Sequence, residues 1–341
     1  MFKKESIDMF QEDIAPEKSA VHVEGVSKSF SQWHRIEGSR NFFRQEKKTI
    51  TALDDVSFQI REGEFVAYAG PNGAGKSTTM KLLSGMLKPT RGTISVLGLS
   101  PEKDRIALMK KLGVLFGNRT ELWWDHPVEQ SFEWKKVVWN IPKEVYRRNL
   151  DMVTELLDLA KIRTTFAREL SLGQRMRADL AMMLLHSPRL ILLDEPTLGL
   201  DVVAKRQMID FLKKINQEDG VTIMVTSHDM DDLEEMAERI LMISGGRLAY
   251  DGSFDGLRSV TGNLTHFTLT TDGTKPELSG CRLLSGKNGV FEFEVDLSLM
   301  PIKVLLEQLS RSDGIMDVEI RKAPIEQVIT QLYLAWRNPS G

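Results

Sequence analysis

From about residue 20 to residue 250, short apolar blocks alternate with stretches whose apolar residues recur at helical spacing. Residues 21–25, 56–60 and 65–69 read as strands, the last apolar throughout. A second apolar strand, 190–193, ends in Asp194 and Glu195, and a third, 221–225, ends in Thr226-Ser227-His228. Residues from about 101 to 168 read mostly as helix, with Leu150, Val153, Leu156 and Leu157 on one face. Strands alternating with helices predict an α/β fold with a mostly parallel sheet covered on its faces.

Near Leu257 the pattern changes. Strand-like runs at 266–271, 282–284, 290–295 and 316–320 surround a helix opened by Pro301, with Ile302, Leu305, Leu306 and Leu309 on one face. A last helix carries Ile325, Val328, Ile329, Leu332 and Trp336. The expected organisation is a flexible polar segment at 1–20, a main domain at 21–256 and a small α+β domain at 257–341.

With 341 residues, two domains are the natural division. Net charge is −3, so no overall basic field recommends nucleic acid as a partner. The single cysteine, Cys281, cannot form an internal disulfide, which fits a reducing compartment. Residues 1–20 lack the apolar core of a signal peptide. No run approaches the ~18 apolar residues of a membrane span; residues 180–185 are cut off by His186 and Pro188. Any service to a membrane would pass through a partner.

Chemistry enters at Gly70-Pro71-Asn72-Gly73-Ala74-Gly75-Lys76-Ser77, which fits the G-x-x-x-x-G-K-[ST] phosphate loop between a strand and a helix. Its glycines let backbone N–H groups turn inward, and the helix beginning near Gly75, with Thr78 in its first turn, adds a positive dipole end. Lys76 can reach the β- and γ-phosphates, and Ser77 can hold Mg2+. Asp194 and Glu195 lie at the C-terminal end of a strand, the ligand-binding edge of an open α/β sheet. Asp194 is the expected second Mg2+ ligand and Glu195 the residue that polarises the attacking water.

The segment Leu170-Ser171-Leu172-Gly173-Gln174, before the Asp-Glu pair, resembles the LSGGQ signature of ABC transporter ATP-binding subunits, with Leu172 in place of the first glycine. The resemblance implies a P-loop NTPase with a RecA-like core sheet, an antiparallel β subdomain and a helical subdomain at about 101–168. It implies that Phe30 stacks on adenine; the alternative for that residue is a strand-end core role. It makes Asp201 the D-loop acid, His228 the switch histidine at the γ-phosphate, and Asn118 the residue at a position usually held by glutamine. Asparagine keeps the amide and loses a methylene of reach to Mg2+ or water.

The same resemblance implies a homodimer in which residues 170–174 of one copy cover the ATP held by the other, with permease subunits docked on the helical segment. Trp123, Trp124, Trp134 and Trp139 lie there, as docking anchors or subdomain core. Gly117-Asn118-Arg119 followed by Leu122-Trp123-Trp124-Asp125 looks like one bacterial group of ABC-2 exporters, whose polytopic permeases are separate chains. The C-terminal region ending in Pro324-Ile325-Glu326-Gln327-Val328 is similar to the tail of that branch. The expected place is the cytoplasmic face of the inner membrane. Residues 31–50, rich in Arg, Lys and aromatics, are either a lipid- or permease-contacting insertion or a solvated loop. The rival reading is a soluble ABC ATPase acting in translation or on nucleic acid without a permease.

Overall fold

A computed structural model of the chain describes residues 19–35, 45–116, 120–260, 264–312, 314–322 and 329, with only the backbone described at 32–35, 45–48, 260 and 322. Asn118, the middle of the 31–50 insertion and most of the expected last helix lie outside these residues. The chain divides into two compact units, Met1–Asp251 and Gly252–Gly341.

The first unit opens with two long strands. β1 (Ser19–Arg35) and β2 (Gln45–Arg61) pair antiparallel over most of their length, including Phe30 with Ile50 and Arg35 with Gln45. The flanks of the 31–50 segment are therefore ladder strands rather than the loop considered from sequence. The sequence concealed this because its charges and aromatics do not alternate cleanly with period two. β3 (Phe65–Ala69) follows, buried throughout, and delivers the chain to α1 (Lys76–Leu83). β4 (Arg91–Val96) returns to pair antiparallel with β1, completing a three-stranded sheet β2-β1-β4.

The region expected to be mostly helical is mixed. α2 (Arg105–Met109) leads into a strand, β5 (Leu112–Phe116), before α3 (Val128–Val138) and α4 (Lys143–Leu156). α5 (Leu172–Leu184), β6 (Leu190–Asp194), α6 (Val202–Asp219), β7 (Thr222–Thr226) and α7 (Met230–Met236) follow. β8 (Arg239–Ser244) and β9 (Arg247–Ser253) are joined by Gly245-Gly246, both at positive φ, as a two-residue hairpin turn requires. The six strands lie in the order β5-β6-β7-β3-β8-β9, and β5, β6, β7, β3 and β8 run parallel. Val66, Tyr68, Leu82, Leu190, Leu192 and Met224 belong to one apolar core that reaches into the three-stranded sheet through Val21 and Val56.

Behind β5, His186 stacks on Trp139 at 5.2 Å, and its Nε2 lies 3.1 Å from the Leu112 carbonyl. Burial, helped by Lys135, pushes its pKa down to about 4. The unfolded chain then takes up this proton first, so the contribution to stability is whole above about 6.5 and is lost as pH falls towards 4. Replacing His186 with Leu should flatten the loss of unfolding free energy over that window by on the order of 2 kcal/mol, read by urea titration at several pH values. A slope identical to wild type would contradict the assignment.

The second unit begins with α8 (Phe254–Val260), a few residues earlier than the sequence boundary at 257. β10 (Leu264–Thr271), β11 (Arg282–Lys287), β12 (Val290–Asp296) and β13 (Ile315–Lys322) form an antiparallel sheet in the order β11-β12-β10-β13. α9 (Ile302–Arg311) contributes Leu305 and Leu309 to a core with Phe267, Leu269, Phe293 and Val295. Ile302 and Leu306, placed on the same stripe from sequence, are exposed, because the buried contact follows a single i, i+4 ridge.

Candidate functional site

The phosphate loop is built by its backbone. Gly73 and Gly75 hold φ of 79° and 114°, which non-glycine residues rarely adopt. A Cβ on Gly75 would fall 2.6 Å from Leu53 and 2.8 Å from the Ala52 carbonyl. Gly75→Ala should therefore abolish nucleotide binding and lower stability by at least about 2 kcal/mol, whereas Gly73, which faces open space, is constrained by φ alone. Calorimetric titration with ATP and thermal unfolding check this together. Pro71, Asn72 and Gly73 are exposed at the loop's tip, and Ala74, Gly75 and Lys76 are buried beneath it.

α1 starts at Lys76 with no side-chain cap, so the N–H groups of Lys76, Ser77 and Thr78 have no carbonyl one turn back. Lys76 lies inside the loop, 7% exposed, its ammonium donating to the carbonyls of Gly70 at 2.6 Å and Pro71 at 3.4 Å. Burial lowers its pKa, while the carboxylates of Glu195 and Asp194 pull it back up. The fold thus brings the Lys76 ammonium to a pair of adjacent carboxylates far along the chain.

Asp194 ends β6 and Glu195 turns out of it with φ of 59°, a strained backbone for a long side chain. That turn is held from the neighbouring strand. Glu195 N–H donates to both the carbonyl and Oγ1 of Thr226 at 3.1 Å, and Thr226 Oγ1 donates to Asp194 Oδ1 at 2.7 Å. Sequence reasoning missed Thr226. Its signal was a hydroxyl at the end of an apolar strand just before His228, informative only once β6 and β7 are known to be adjacent. His228 Nε2 lies 2.6 Å from Glu195 Oε1, with the imidazole half exposed.

Loop N–H groups, one ammonium, the Ser77 hydroxyl and the half-buried Asp194 carboxylate, its Oδ1 held by Thr226, form a donor set that fits a triphosphate and its divalent cation. Phe30 is half-buried on β1 with the Lys28 ammonium 5.1 Å from its ring centroid, so it is not a closed core residue.

Residues 170–174 form the turn that opens α5. Ser171 caps α5 with its Oγ accepting from Gln174 N–H at 3.3 Å, and Gln174 Oε1 accepts from Ser171 N–H at 2.9 Å. Among the described residues, this capping box leaves the hydroxyl proton of Ser171 and the N–H groups of Leu172 and Gly173 without a hydrogen-bond partner, available to an anion. A Cβ on Gly199 would lie 2.7 Å from Leu172, and one on Gly173 would lie 3.6 Å from Ala204, so this turn packs beside the start of α6. Asp201 is the N-cap of α6, accepting from Ala204 N–H at 2.8 Å. Among the described residues, no hydrogen bond or ion pair links 170–174 to residues 70–78 of the same chain. Leu170 lies half-buried at the turn's start.

The tryptophans divide. Trp123, Trp124 and Trp134 are exposed, with Trp123 and Trp134 ring centroids 5.4 Å apart, and Trp139 is partly covered by His186. None is a fully buried core residue, so of the two readings from sequence the subdomain-core one does not hold for them. Here the aromatic surface lies open while Phe132 fills the interior of α3.

Residues 53–198 match the family described as ABC transporter. The chain is 33% identical over 261 residues to the Bacillus subtilis ABC transporter ATP-binding protein YhcH, covering 76% of this chain and 83% of that protein. It is 34% identical over 216 residues to the methionine import ATP-binding protein MetN of Latilactobacillus sakei, covering 62% of each. Among solved structures it resembles the ATP-binding cassette MJ0796, a dimer in a post-hydrolysis state with ADP and Pi. The TM-score is 0.58 at 27% identity, over 68% of this chain and 98% of that one. Sequence, fold and loop geometry agree, and the chain belongs to the ABC transporter family, whose cassettes are ATPases that bind ATP with Mg2+.

Proposed function

We propose that this chain is the ATP-hydrolysing subunit of an ABC-2 type exporter. In this reading it works as a homodimer on polytopic permease subunits at the cytoplasmic face of the inner membrane. The observation that carries the reading is the convergence of Lys76, Asp194, Glu195 and His228 at one sheet edge, with Glu195 held at positive φ. Backbone N–H groups of residues 70–78 and the Lys76 ammonium bind the phosphates. Ser77 and Asp194 would hold Mg2+, which would supply neutralisation of phosphate charge when bound. Glu195 orients and polarises the attacking water, and His228, in contact with Glu195, senses the γ-phosphate. Asn118 takes the glutamine position and Phe30 the adenine face.

The free donors at Ser171, Leu172 and Gly173 serve the nucleotide of a second copy. Two ATP-filled interfaces then close the dimer, and loss of the γ-phosphate removes the contacts that favour closure. Trp123, Trp124 and Trp134 form an exposed aromatic surface suited to a permease helix. No helix among the described residues is long and apolar enough to cross a membrane, so the work is delivered through that contact. Residues 31–50 offer a further contact to anionic headgroups.

Export is supported by the Leu122-Trp123-Trp124-Asp125 stretch. The likeness to a methionine import subunit favours a second reading, import, on the same cassette chemistry. Co-expression with a polytopic permease that co-purifies with it tests both. ATP-dependent accumulation inside inverted vesicles supports export, and uptake into right-side-out vesicles supports import. Co-purification with ribosomes and no membrane protein would instead favour a soluble factor.

A further inference from the structure

Asp179 is a carboxylate on the inner face of α5, 7% exposed, flanked by the buried apolar residues Ala178, Leu180 and Met176. A carboxylate so placed is costly unless hydrogen-bonded. Its Oδ1 accepts from Thr120 Oγ1 at 2.8 Å and from Glu121 N–H at 3.1 Å. Burial still pushes the carboxyl up to about 6, against the pull of those two bonds. None of the roles assigned above uses this residue.

Its partners begin a strip, residues 120–126, that leaves the Asn118 position and carries Trp123 and Trp124. The strip is fastened elsewhere as well. Glu121 pairs with the buried Lys135 at 2.7 Å, and Trp123 N–H donates to Ser131 Oγ at 2.9 Å. On its other side, Ala167 N–H donates to the His126 carbonyl at 3.0 Å and Arg168 N–H to the Trp124 carbonyl at 3.1 Å, while the Arg168 guanidinium meets Asp125 at 2.6 Å. The strip is therefore tied to the chain just before Leu170 and again at Asp179, about two helical turns after Ser171.

We propose that Asp179 is a positioning residue that locks the 120–126 strip to α5, so that the permease-facing tryptophans and the Ser171 turn move as one body. This rests on the reading of Ser171 and of the tryptophan surface given above. Asp179 touches neither nucleotide nor reacting atoms. Removing it frees the strip's first residues from α5 while the bonds at Ala167 and Arg168 remain. The turn that aims Ser171 then gains slack, and a small misplacement of a positioned group costs rate rather than binding to the Lys76 loop.

The test uses the full-length chain with Mg-ATP. Asp179→Ala should lower kcat on the order of tenfold with the Kd for a non-hydrolysable ATP analogue unchanged. Asp179→Asn, whose amide oxygen can accept both bonds, should stay within about twofold of wild type. Thr120→Val removes the bond to Asp179 from the far side, together with the one Thr120 Oγ1 accepts from Leu122 N–H, and should cost about threefold in kcat, which keeps the proposal testable if Asp179→Ala does not fold. A folded Asp179→Ala or Thr120→Val with wild-type kcat would overturn it, as would an Asn variant as impaired as Ala. Glu195→Gln serves as the control: if it turns over normally the site reading fails, whatever the Asp179 series shows.

Discussion

Glu195→Gln is expected to bind Mg-ATP as the wild type does and to lose turnover by at least on the order of a hundredfold. The substitution keeps size and one carbonyl oxygen but removes the negative charge that can polarise water. The backbone that places the side chain depends on Glu195 N–H bonds to Thr226, which the amide leaves intact. Fold and nucleotide affinity should therefore persist, and ATP should accumulate bound in a closed dimer. Size-exclusion chromatography with Mg-ATP, beside a phosphate-release assay, reads both. A variant that hydrolyses normally would remove Glu195 from this role.

Lys76→Ala is expected to lower ATP affinity on the order of a hundredfold while leaving unliganded stability unchanged or slightly raised. The ammonium is buried and donates only to carbonyls in the described hydrogen bonds. Burial already weakens its hold on the proton, with Glu195 and Asp194 compensating in part. Such a charge contributes little to folding, and its favourable partner is the phosphate chain. Calorimetric titration and thermal unfolding separate the two effects. Substantial destabilisation without loss of affinity would assign Lys76 a structural role instead.

Much of this site was legible because its chemistry is local in sequence. The 70–78 loop needs glycines at fixed intervals for its φ values, and 170–174 needs a capping residue with Gln three positions on; both requirements are written in consecutive residues. The Asp194-Glu195 pair was legible because an apolar strand points at it. What the sequence concealed depends on register across strands. Thr226 matters through its pairing with Asp194 and its hold on Glu195, and Asp179 through Thr120 and Glu121, far away along the chain. The hairpin arms at 31–35 and 45–50 were hidden for a similar reason, since their pairing is set by the opposite strand rather than by their own pattern. The role of the tryptophans stayed open in the sequence because aromatic residues fit core and interface equally until burial is known.

The arrangement of two copies around shared nucleotide is tested most directly by mixing variants. Lys76→Ala disables one loop and Ser171→Glu one signature turn. In a dimer whose sites each combine a loop from one copy with a turn from the other, pairing the two single variants leaves one intact site. Pairing the double variant with wild type leaves none. Purified heterodimers carrying different affinity tags should therefore hydrolyse ATP in the first combination and not in the second; the reverse outcome would contradict the account.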